Sequence, residues 1–223
     1  MSEKIRKFGV DNPDEYWKWR KDIKRTTERR LHRFLKKQID AIVPKGGRVL
    51  DCGMGAGHVF RLCREDYETY GVEISSEAIA MYDFPTDNVK QADLNQGIPD
   101  FDVNFDAIVI SMILHWMNDP QGFLTKIQKK LTPQGRLLVV IPNITYYRYR
   151  IGFLFGKFPP ISLSHKNFQV PLESEEMFKR AGLTIEKILT SKTSLKAKLR
   201  PRLFATGIIY VLKPGKSATV HQV

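Results

Sequence analysis

The sequence predicts an α/β fold in which a mostly parallel sheet is covered by helices on both faces. Three observations predict it. Residues 48–50 are a short apolar strand that runs into alternating glycines and then a helical pattern. Residues 69–74 form a second apolar strand at the spacing of a β-α-β unit. Residues 105–111, FDAIVIS, are almost continuously apolar, which is typical of a central parallel strand.

The first element of the chain is predicted to be helical. Between Asp14 and Val43 the apolar positions recur at near-helical spacing among many charges, and Pro44 ends the pattern. With 223 residues in the chain, we expect one domain preceded by a helical extension over residues 1–45. The aromatic residues Tyr16, Trp17 and Trp19 allow two interpretations. They cover a ligand or stack on bases, or they simply attach a helix to the core.

The turn after the first strand is the central motif, with Asp51 followed by Gly53, Gly55 and Gly57. Glycine is needed there because the chain must adopt backbone angles that other residues resist, and because a ligand can then lie against the backbone. The helix that follows adds amide donors. A dinucleotide fingerprint would place its third glycine at position 58, where this chain has His58. The acidic Asp51 also suits a positively charged ligand better than a pyrophosphate.

This D-x-G-x-G-x-G pattern and its strand resemble the first motif of class I S-adenosylmethionine-dependent methyltransferases, and the resemblance covers roughly residues 40–212. It implies a Rossmann-like, doubly wound, seven-stranded sheet that is mostly parallel, with an antiparallel last strand. It also implies S-adenosyl-L-methionine as the cofactor. The methyltransferase domain would span residues 46–212, contain a lid-like insertion at 143–170, and be followed by a flexible tail at 213–223.

The second strand ends in Glu73, 22 residues after Asp51. A parallel β-α-β unit brings the end of its second strand beside the glycine turn, so a carboxylate there can accept hydrogen bonds from ribose hydroxyls. We therefore predict that Glu73 and the adjoining Ile74 bind the cofactor.

Residues 88–92 are predicted to form the third strand, followed by Asp93 and Leu94. The methyltransferase resemblance implies that Asp93 accepts a hydrogen bond from the adenine amino group and that Leu94 packs on the ring. An aspartate before Asn95 is also ordinary turn chemistry, and that alternative stays open.

The fourth strand ends at Ser111, which the resemblance places with Met112 at the methionine end of the cofactor. The chain lacks the Asn or Asp, two prolines and an aromatic residue that base-methylating enzymes carry here. It resembles instead the small-molecule and glycan methyltransferases, in which a histidine commonly follows this strand. His115 would then face the substrate. The alternative is that His115 caps the local backbone.

A helix is predicted at 123–131, and Pro133 to Gly135 are predicted to form the turn into a strand at 136–142. The stretch that follows is rich in aromatic and basic residues. We predict that it covers the acceptor as a lid; a helix lying on a membrane surface is the alternative. The predicted acceptor-binding residues are Tyr146, Tyr147, Arg148 and Arg150.

This stretch also resembles the corresponding insertion of MetW-like proteins. The residues that carry this narrower resemblance are Pro142, Asn143, Arg148, Arg150, Gly156, Pro159, His165 and Phe168. After it we predict a helix at 172–181, a strand at 183–189, a basic connection at 192–202 and a closing strand at 203–212.

The net charge of +12 is unevenly distributed along the chain. Residues 1–48 carry 15 Lys and Arg against 7 Asp and Glu, residues 49–142 carry 7 against 13, and residues 143–223 carry 14 against 4. These segments therefore have net charges of +8, −6 and +10. The basic ends either are solvated helix faces or attract an anionic partner.

The only cysteines are Cys52 and Cys63, too few for a disulfide framework. The sequence also lacks an apolar run typical of a secretion signal or a membrane span. These two observations predict a cytoplasmic protein. We predict no metal site.

The predicted function is methyl transfer to a small-molecule, glycan or lipid acceptor, at a hydroxyl oxygen, with His115 or His165 as the base. Nucleic acid is a possible but disfavoured partner. Three alternatives remain: an RNA or protein methyltransferase, a non-catalytic subunit that assists an acyltransferase as MetW-like proteins do, and a nicotinamide oxidoreductase, which His58 and Asp51 disfavour.

Overall fold

The computed structural model describes residues 12–22, 29–82, 87–157, 166–167 and 169–215. One seven-stranded sheet forms the centre. Its strands are β1 (Arg48–Cys52), β2 (Glu68–Glu73), β3 (Val89–Gln91), β4 (Phe105–Ser111), β5 (Leu131–Pro142), β6 (Leu183–Leu189) and β7 (Gly207–Pro214). The described helices are α1 (Pro13–Asp22), α2 (Arg30–Asp40), α3 (His58–Cys63), α4 (Ser76–Ile79), α5 (Pro120–Ile127), α6 (Tyr147–Leu154), α7 (Pro171–Arg180), α8 (Leu195–Leu199) and α9 (Pro201–Phe204). Two 3₁₀ turns are Leu114–Trp116 and Gln128–Lys130.

The strand order is β3-β2-β1-β4-β5-β7-β6. Strands β1 to β5 pair in parallel, whereas β7 is antiparallel to both of its neighbours, β5 and β6. The predicted sheet is therefore confirmed, including its antiparallel final strand. The strand order changes direction between the neighbouring strands β1 and β4. The carboxyl ends of these two strands therefore flank the crevice where ligands bind in such folds.

Alternate residues of the central strands supply two separate core layers. On one face, Leu50 and Ile108 pack with Leu124 of α5 and Phe178 of α7. On the other face, the neighbouring strand positions pack with Leu35 and Ile39 of α2 and with Val59 and Cys63 of α3. This two-sided burial explains why the central strands are apolar at almost every position.

Two expectations for the second half of the chain need correction. The segment Pro133 to Gly135, predicted as a turn, lies inside β5 as an irregularity, because the pairing with β4 jumps from Leu131 to Arg136. The predicted basic connection at 192–202 contains all of α8 and the start of α9. The closing strand consequently begins at Gly207, four residues later than predicted.

Candidate active site

The glycine turn joins β1 to α3 in a conformation that explains its composition. Gly53, Gly55 and Gly57 have φ angles of 67°, 54° and 66°, which lie in the left-handed region that other residues resist. The amides of Gly53 and Met54 donate to the carbonyl of Val72, at 2.8 and 3.1 Å. The turn is thereby fixed against the end of β2, and its backbone remains accessible from the cavity above it.

Glu73 at the end of β2 is buried and holds this turn in place. One carboxylate oxygen, Oε2, accepts from the Gly55 amide at 2.8 Å. The other, Oε1, accepts from the amides of Ile74 and Ser75, each at 3.0 Å. A carboxylate has about four lone-pair sites, so these three bonds leave one acceptor site on Oε2. Burial raises the pKa of Glu73 above its usual range, against the effect of these amides.

Asp51 lies two residues before the first glycine and is only 3% exposed. Burial raises the pKa of this carboxyl to about 7, and the nearby charge of Glu73 adds to the shift, while the Phe60 amide opposes it. Two buried carboxyl groups therefore lie close together beside the turn. A cationic ligand would stabilise their ionised forms.

The segment after β3 brings Asp93 and Leu94 to the same edge. The Ala92 amide donates to the Glu73 carbonyl at 3.0 Å and so ties this segment to the end of β2. Asp93 Oδ1 accepts from the backbone and side-chain amides of Asn95, at 2.9 and 3.1 Å. Asp93 therefore makes the turn hydrogen bonds that the sequence suggested as an alternative, and it makes them through Oδ1.

The segment after β4 forms the next part of the wall. Met112 has a φ of 61°, an uncommon conformation for a residue with a side chain, and its amide donates to Val140 of β5 at 3.0 Å. Strained residues of this kind cluster at ligand sites. His115 is 3% exposed and lies in the 3₁₀ turn that follows. Its carbonyl accepts from the amides of Lys166 and Asn167, at 3.0 and 3.1 Å.

Helix α1 lies across the glycine turn. Asp14 accepts hydrogen bonds from the Ser75 hydroxyl at 2.6 Å, the Ser76 hydroxyl at 3.1 Å and the Glu77 amide at 3.2 Å, and these bonds lower its pKa. The ring of Trp17 is so close to the turn that a Cβ added at Gly55 would lie 2.6 Å from it. Tyr16 and Trp17 of α1 line the cavity and Trp19 is not among the lining residues, so the interpretation that these aromatic residues cover a ligand stays a prediction.

These parts enclose a cavity of about 540 Å³, within the usual size range of ligand sites. The predicted residues that line it are Asp51, Gly53, Gly55, Glu73, Ile74, Asp93, Leu94, Ser111 and His115. Gly57 is not among the lining residues and lies under the ring of Tyr82. The cavity lining does not include Tyr146, Tyr147, Arg148 or Arg150, which lie at the start of α6, and His165 lies outside the described residues.

Several lining residues were not predicted from the sequence. On the α1 and α2 side they are Arg20, Arg29 and His32, the last stacked on His58 with ring centroids 4.7 Å apart. In the sequence, the first 40 residues are rich in basic and aromatic side chains. This composition does not indicate which of these side chains line a cavity. Tyr82 was also missed as a contact of the turn; its hydroxyl donates to the Gly55 carbonyl, and burial raises its pKa.

The strand order, the glycine turn and the acidic residues after β1, β2 and β3 together define an α/β domain built to bind a nucleoside cofactor. Comparison with known proteins agrees. The family model described as "Methyltransferase domain" matches residues 16–188, so the chain belongs to this methyltransferase family. The broader resemblance is therefore confirmed, whereas the MetW-like subfamily stays a prediction.

Curated relatives match the chain over part of its length. YqeM of Bacillus subtilis (strain 168), which carries a methyltransferase name, is 30% identical over 112 residues, 46% of this chain and 45% of that protein. The uncharacterized methyltransferase C1347.09 of Schizosaccharomyces pombe is 31% identical over 111 residues, 42% of this chain and 38% of that protein. The matches thus span less than half of either relative.

Solved structures match nearly the whole fold. A chain from the complex of the Haloferax volcanii Trm112 methyltransferase activator with a methyltransferase is 18% identical, with a TM-score of 0.66, and the match covers 92% of this chain and 100% of that one. An S-adenosylmethionine-dependent methyltransferase from Clostridium acetobutylicum is 13% identical, with a TM-score of 0.64, and covers 91% and 98%. These likenesses confirm the fold.

Proposed function

We propose that this protein is an S-adenosylmethionine-dependent methyltransferase that methylates a hydroxyl group of a small-molecule, glycan or lipid acceptor. The observation that carries the proposal is the single cavity lined by the glycine turn, by Glu73, by Asp93 and by the segment after β4. Each of these parts has the chemistry that one portion of the cofactor requires. When bound, S-adenosylmethionine supplies a methyl group on a positively charged sulfur.

The residues of the cavity fit this cofactor by charge and by shape. Asp51 and Glu73 provide buried carboxyl groups for a ligand that carries sulfonium and ammonium charges. Arg20 and Arg29 line the α1 and α2 side of the same cavity, where a carboxylate of the cofactor or of an anionic acceptor can pair with them. Gly55 presents its backbone without a side chain, and Trp17 covers it.

We assign the nucleoside end to the residues after β2 and β3. The remaining acceptor site on Glu73 Oε2 accepts from a ribose hydroxyl, while the bond that Oε2 accepts from the Gly55 amide holds the turn. Asp93 accepts from the adenine amino group through Oδ2, because Oδ1 is engaged by Asn95. Leu94 packs against the adenine ring.

We assign the methyl end to the segment after β4. His115 is buried in the cavity wall three residues beyond the strained Met112. The imidazole of His115 would take the proton of an acceptor hydroxyl while the acceptor oxygen displaces the cofactor sulfur from the methyl carbon, so that the carbon–sulfur bond would break as the carbon–oxygen bond formed. The other requirement is alignment, since a sulfonium disperses its positive charge during transfer and a dry cavity favours such a reaction. Helix α1 and the aromatic residues it carries exclude water.

The proposal is tested first by calorimetry with S-adenosylmethionine and its demethylated product. Failure of the purified protein to bind either compound would contradict it. The acceptor is then sought by incubating the protein with methyl-labelled cofactor and cell extract that has been separated into small-molecule, lipid, RNA and protein fractions. Label in the small-molecule or lipid fraction supports the proposal, and label in RNA or protein supports the alternative substrate classes.

The role of His115 is tested on the acceptor found in this way. His115→Ala should lower turnover by about 10²- to 10⁴-fold with nearly unchanged cofactor affinity. His32→Ala is the matched control, because His32 also lines the cavity, from α2, and should be dispensable for proton transfer. His165→Ala tests the rival base. Near wild-type turnover in both the His115 and His165 variants would show that the acceptor is already ionised.

A further inference from the structure

Two segments at the carboxyl edge of the sheet form one continuous surface, which we call the carboxyl-edge face: residues 147–157, with α6, and residues 195–204, with α8 and α9. The first segment follows the end of β5, and the second lies between the end of β6 and the start of β7. The rings of Tyr147 and Phe204 contact each other edge to face, with centroids 5.3 Å apart. Asn143 Nδ2 donates to the carbonyls of Arg202 and Ala205, each at 2.8 Å.

This face exposes an unusual amount of apolar side chain. Leu154 is 83% exposed, Leu199 is 73% exposed, and Ile151, Phe155 and Leu195 are also exposed by half or more. Their spacing is helical: Ile151 and Leu154 are three residues apart, and Leu195 and Leu199 are four apart, so each pair shares a helix face. Exposed apolar side chains that share a helix face mark an interaction surface more often than single, scattered ones do.

The charge of the face determines what can cover it. The sequence has no Asp or Glu from residue 143 to 172 or from residue 187 to the end. Around the apolar side chains lie exposed basic residues, among them Arg148 and Lys157 on the first segment and Lys196, Lys198 and Arg200 on the second. The partner must therefore be anionic and must also accept aliphatic side chains.

We propose that the carboxyl-edge face docks on the surface of a bilayer that contains anionic lipid. The leucines and Phe155 enter the boundary between headgroups and acyl chains, and the basic side chains around them contact lipid phosphates. A second copy of the chain is disfavoured because two such faces repel each other. RNA would neutralise the charge but would leave the aliphatic side chains without an apolar partner. Among the described residues, no helix is long and apolar enough to span a membrane.

This inference concerns binding alone and is independent of the methyl acceptor. It is tested by co-sedimentation of the full chain with vesicles of phosphatidylcholine alone and of phosphatidylcholine mixed with phosphatidylglycerol. We expect binding to the mixed vesicles only, weakened by added salt. Equal binding to both vesicle types, or to neither, would overturn the proposal.

Two double variants separate the charged and apolar contributions. Each lysine near an anionic surface strengthens binding about fivefold, so Lys196→Glu/Lys198→Glu should weaken vesicle binding by at least about 30-fold. Leu195→Ser/Leu199→Ser should weaken it by about tenfold or more, because two exposed leucines no longer enter the interface.

The matched control is Lys45→Glu/Lys129→Glu, which changes the net charge equally at the opposite edge of the sheet. Both lysines are exposed and lie just before parallel strands, Lys45 before β1 and Lys129 before β5. This variant should bind vesicles nearly as the wild type does. Equal losses in the control and in Lys196→Glu/Lys198→Glu would mean that net charge, and not this face, causes binding.

The RNA alternative has its own signature. Unchanged vesicle binding by Leu195→Ser/Leu199→Ser, together with displacement of the protein from vesicles by single-stranded RNA, would show a nucleic-acid face and overturn the proposal. Calorimetry with S-adenosylmethionine and thermal melting confirm in parallel that every variant is folded, because none of the substituted residues lines the cofactor cavity.

Discussion

Asp51 provides a direct test of the electrostatics of the cavity. This carboxyl is buried at the end of β1, its pKa is raised to about 7 by burial first and by the charge of Glu73 second, and it lines the cavity. A cationic cofactor favours the ionised carboxylate. Binding of S-adenosylmethionine should therefore release a proton from Asp51, and the affinity should increase as pH rises towards neutrality.

The expected size follows from the pKa. With a value of about 7, the carboxyl is about one-tenth ionised at pH 6 and half ionised at pH 7. If only the ionised form binds the cofactor well, the apparent affinity should rise about fivefold over this interval. Asp51→Asn removes the titrating group, so the variant should bind more weakly at pH 7 and show a flatter pH profile.

The same shift affects stability with a defined sign. The folded-state pKa of Asp51 lies above its ordinary value of 3.8, so the folded protein holds the proton more tightly than the unfolded chain does. The contribution to stability is complete below about pH 4 and is lost as the pH rises through about 7. Asp51→Asn should therefore melt at a higher temperature than the wild type at pH 7.5, and the difference should shrink towards pH 4.

The assay is isothermal titration calorimetry from pH 5.5 to 7.0, below the usual α-amino pKa of about 7.7–8.0. Repeating it in buffers with different ionisation enthalpies counts the protons released per bound cofactor. The control is Asp66→Asn, which alters an exposed aspartate at the amino edge of β2. Parallel affinity profiles for wild type and Asp51→Asn, with no proton release, would refute the electrostatic role of Asp51.

Three further predictions concern the cavity and the predicted acceptor-binding stretch after β5. Glu73→Ala should weaken cofactor binding by about 1.5–3 kcal/mol and lower the melting temperature, because this carboxylate binds both the ligand and the glycine turn. A loss of binding free energy below about 0.5 kcal/mol in calorimetry would contradict this. Asp14→Ala should release α1, accelerate cofactor dissociation about tenfold and shift the fluorescence of Trp17 to the red. An unchanged dissociation rate would mean that α1 does not retain the ligand. Replacing Arg148 and Arg150 together by alanine should raise KM for an anionic acceptor and leave cofactor affinity unchanged. An equal loss of acceptor affinity and cofactor affinity would assign the stretch to the cofactor cavity.

The parts of the fold that depend on local pattern were predictable from the sequence. Strands β4 and β6 have the predicted bounds. In β4 a continuous apolar run indicates a buried strand, whereas β6 is an edge strand in which Thr184, Glu186 and Lys187 lie among the apolar residues. The glycine turn was predictable because its geometry requires left-handed backbone angles, and Gly53, Gly55 and Gly57 adopt them.

The parts that depend on distant contacts were not predictable in the same way. The position of α1 over the cavity is set by Asp14 and Ser75, which are 61 residues apart in the sequence. Helices α8 and α9 are too short and too basic to produce a clear apolar period. The hydrogen bond from the Gly55 amide to Glu73 likewise forms only when β1 and β2 lie side by side.

The distribution of charge links the two proposals physically. The acidic middle of the chain supplies the carboxyl groups after β1, β2 and β3, which suit a cationic cofactor in a buried cavity. The basic final third supplies α6, α8 and α9, which follow β5 and β6 at the same carboxyl edge of the sheet. A protein held on an anionic bilayer by this face would have its active-site edge turned towards the membrane. An acceptor dissolved in that membrane could then approach His115 without crossing bulk water, and the cofactor cavity would keep its own acidic environment.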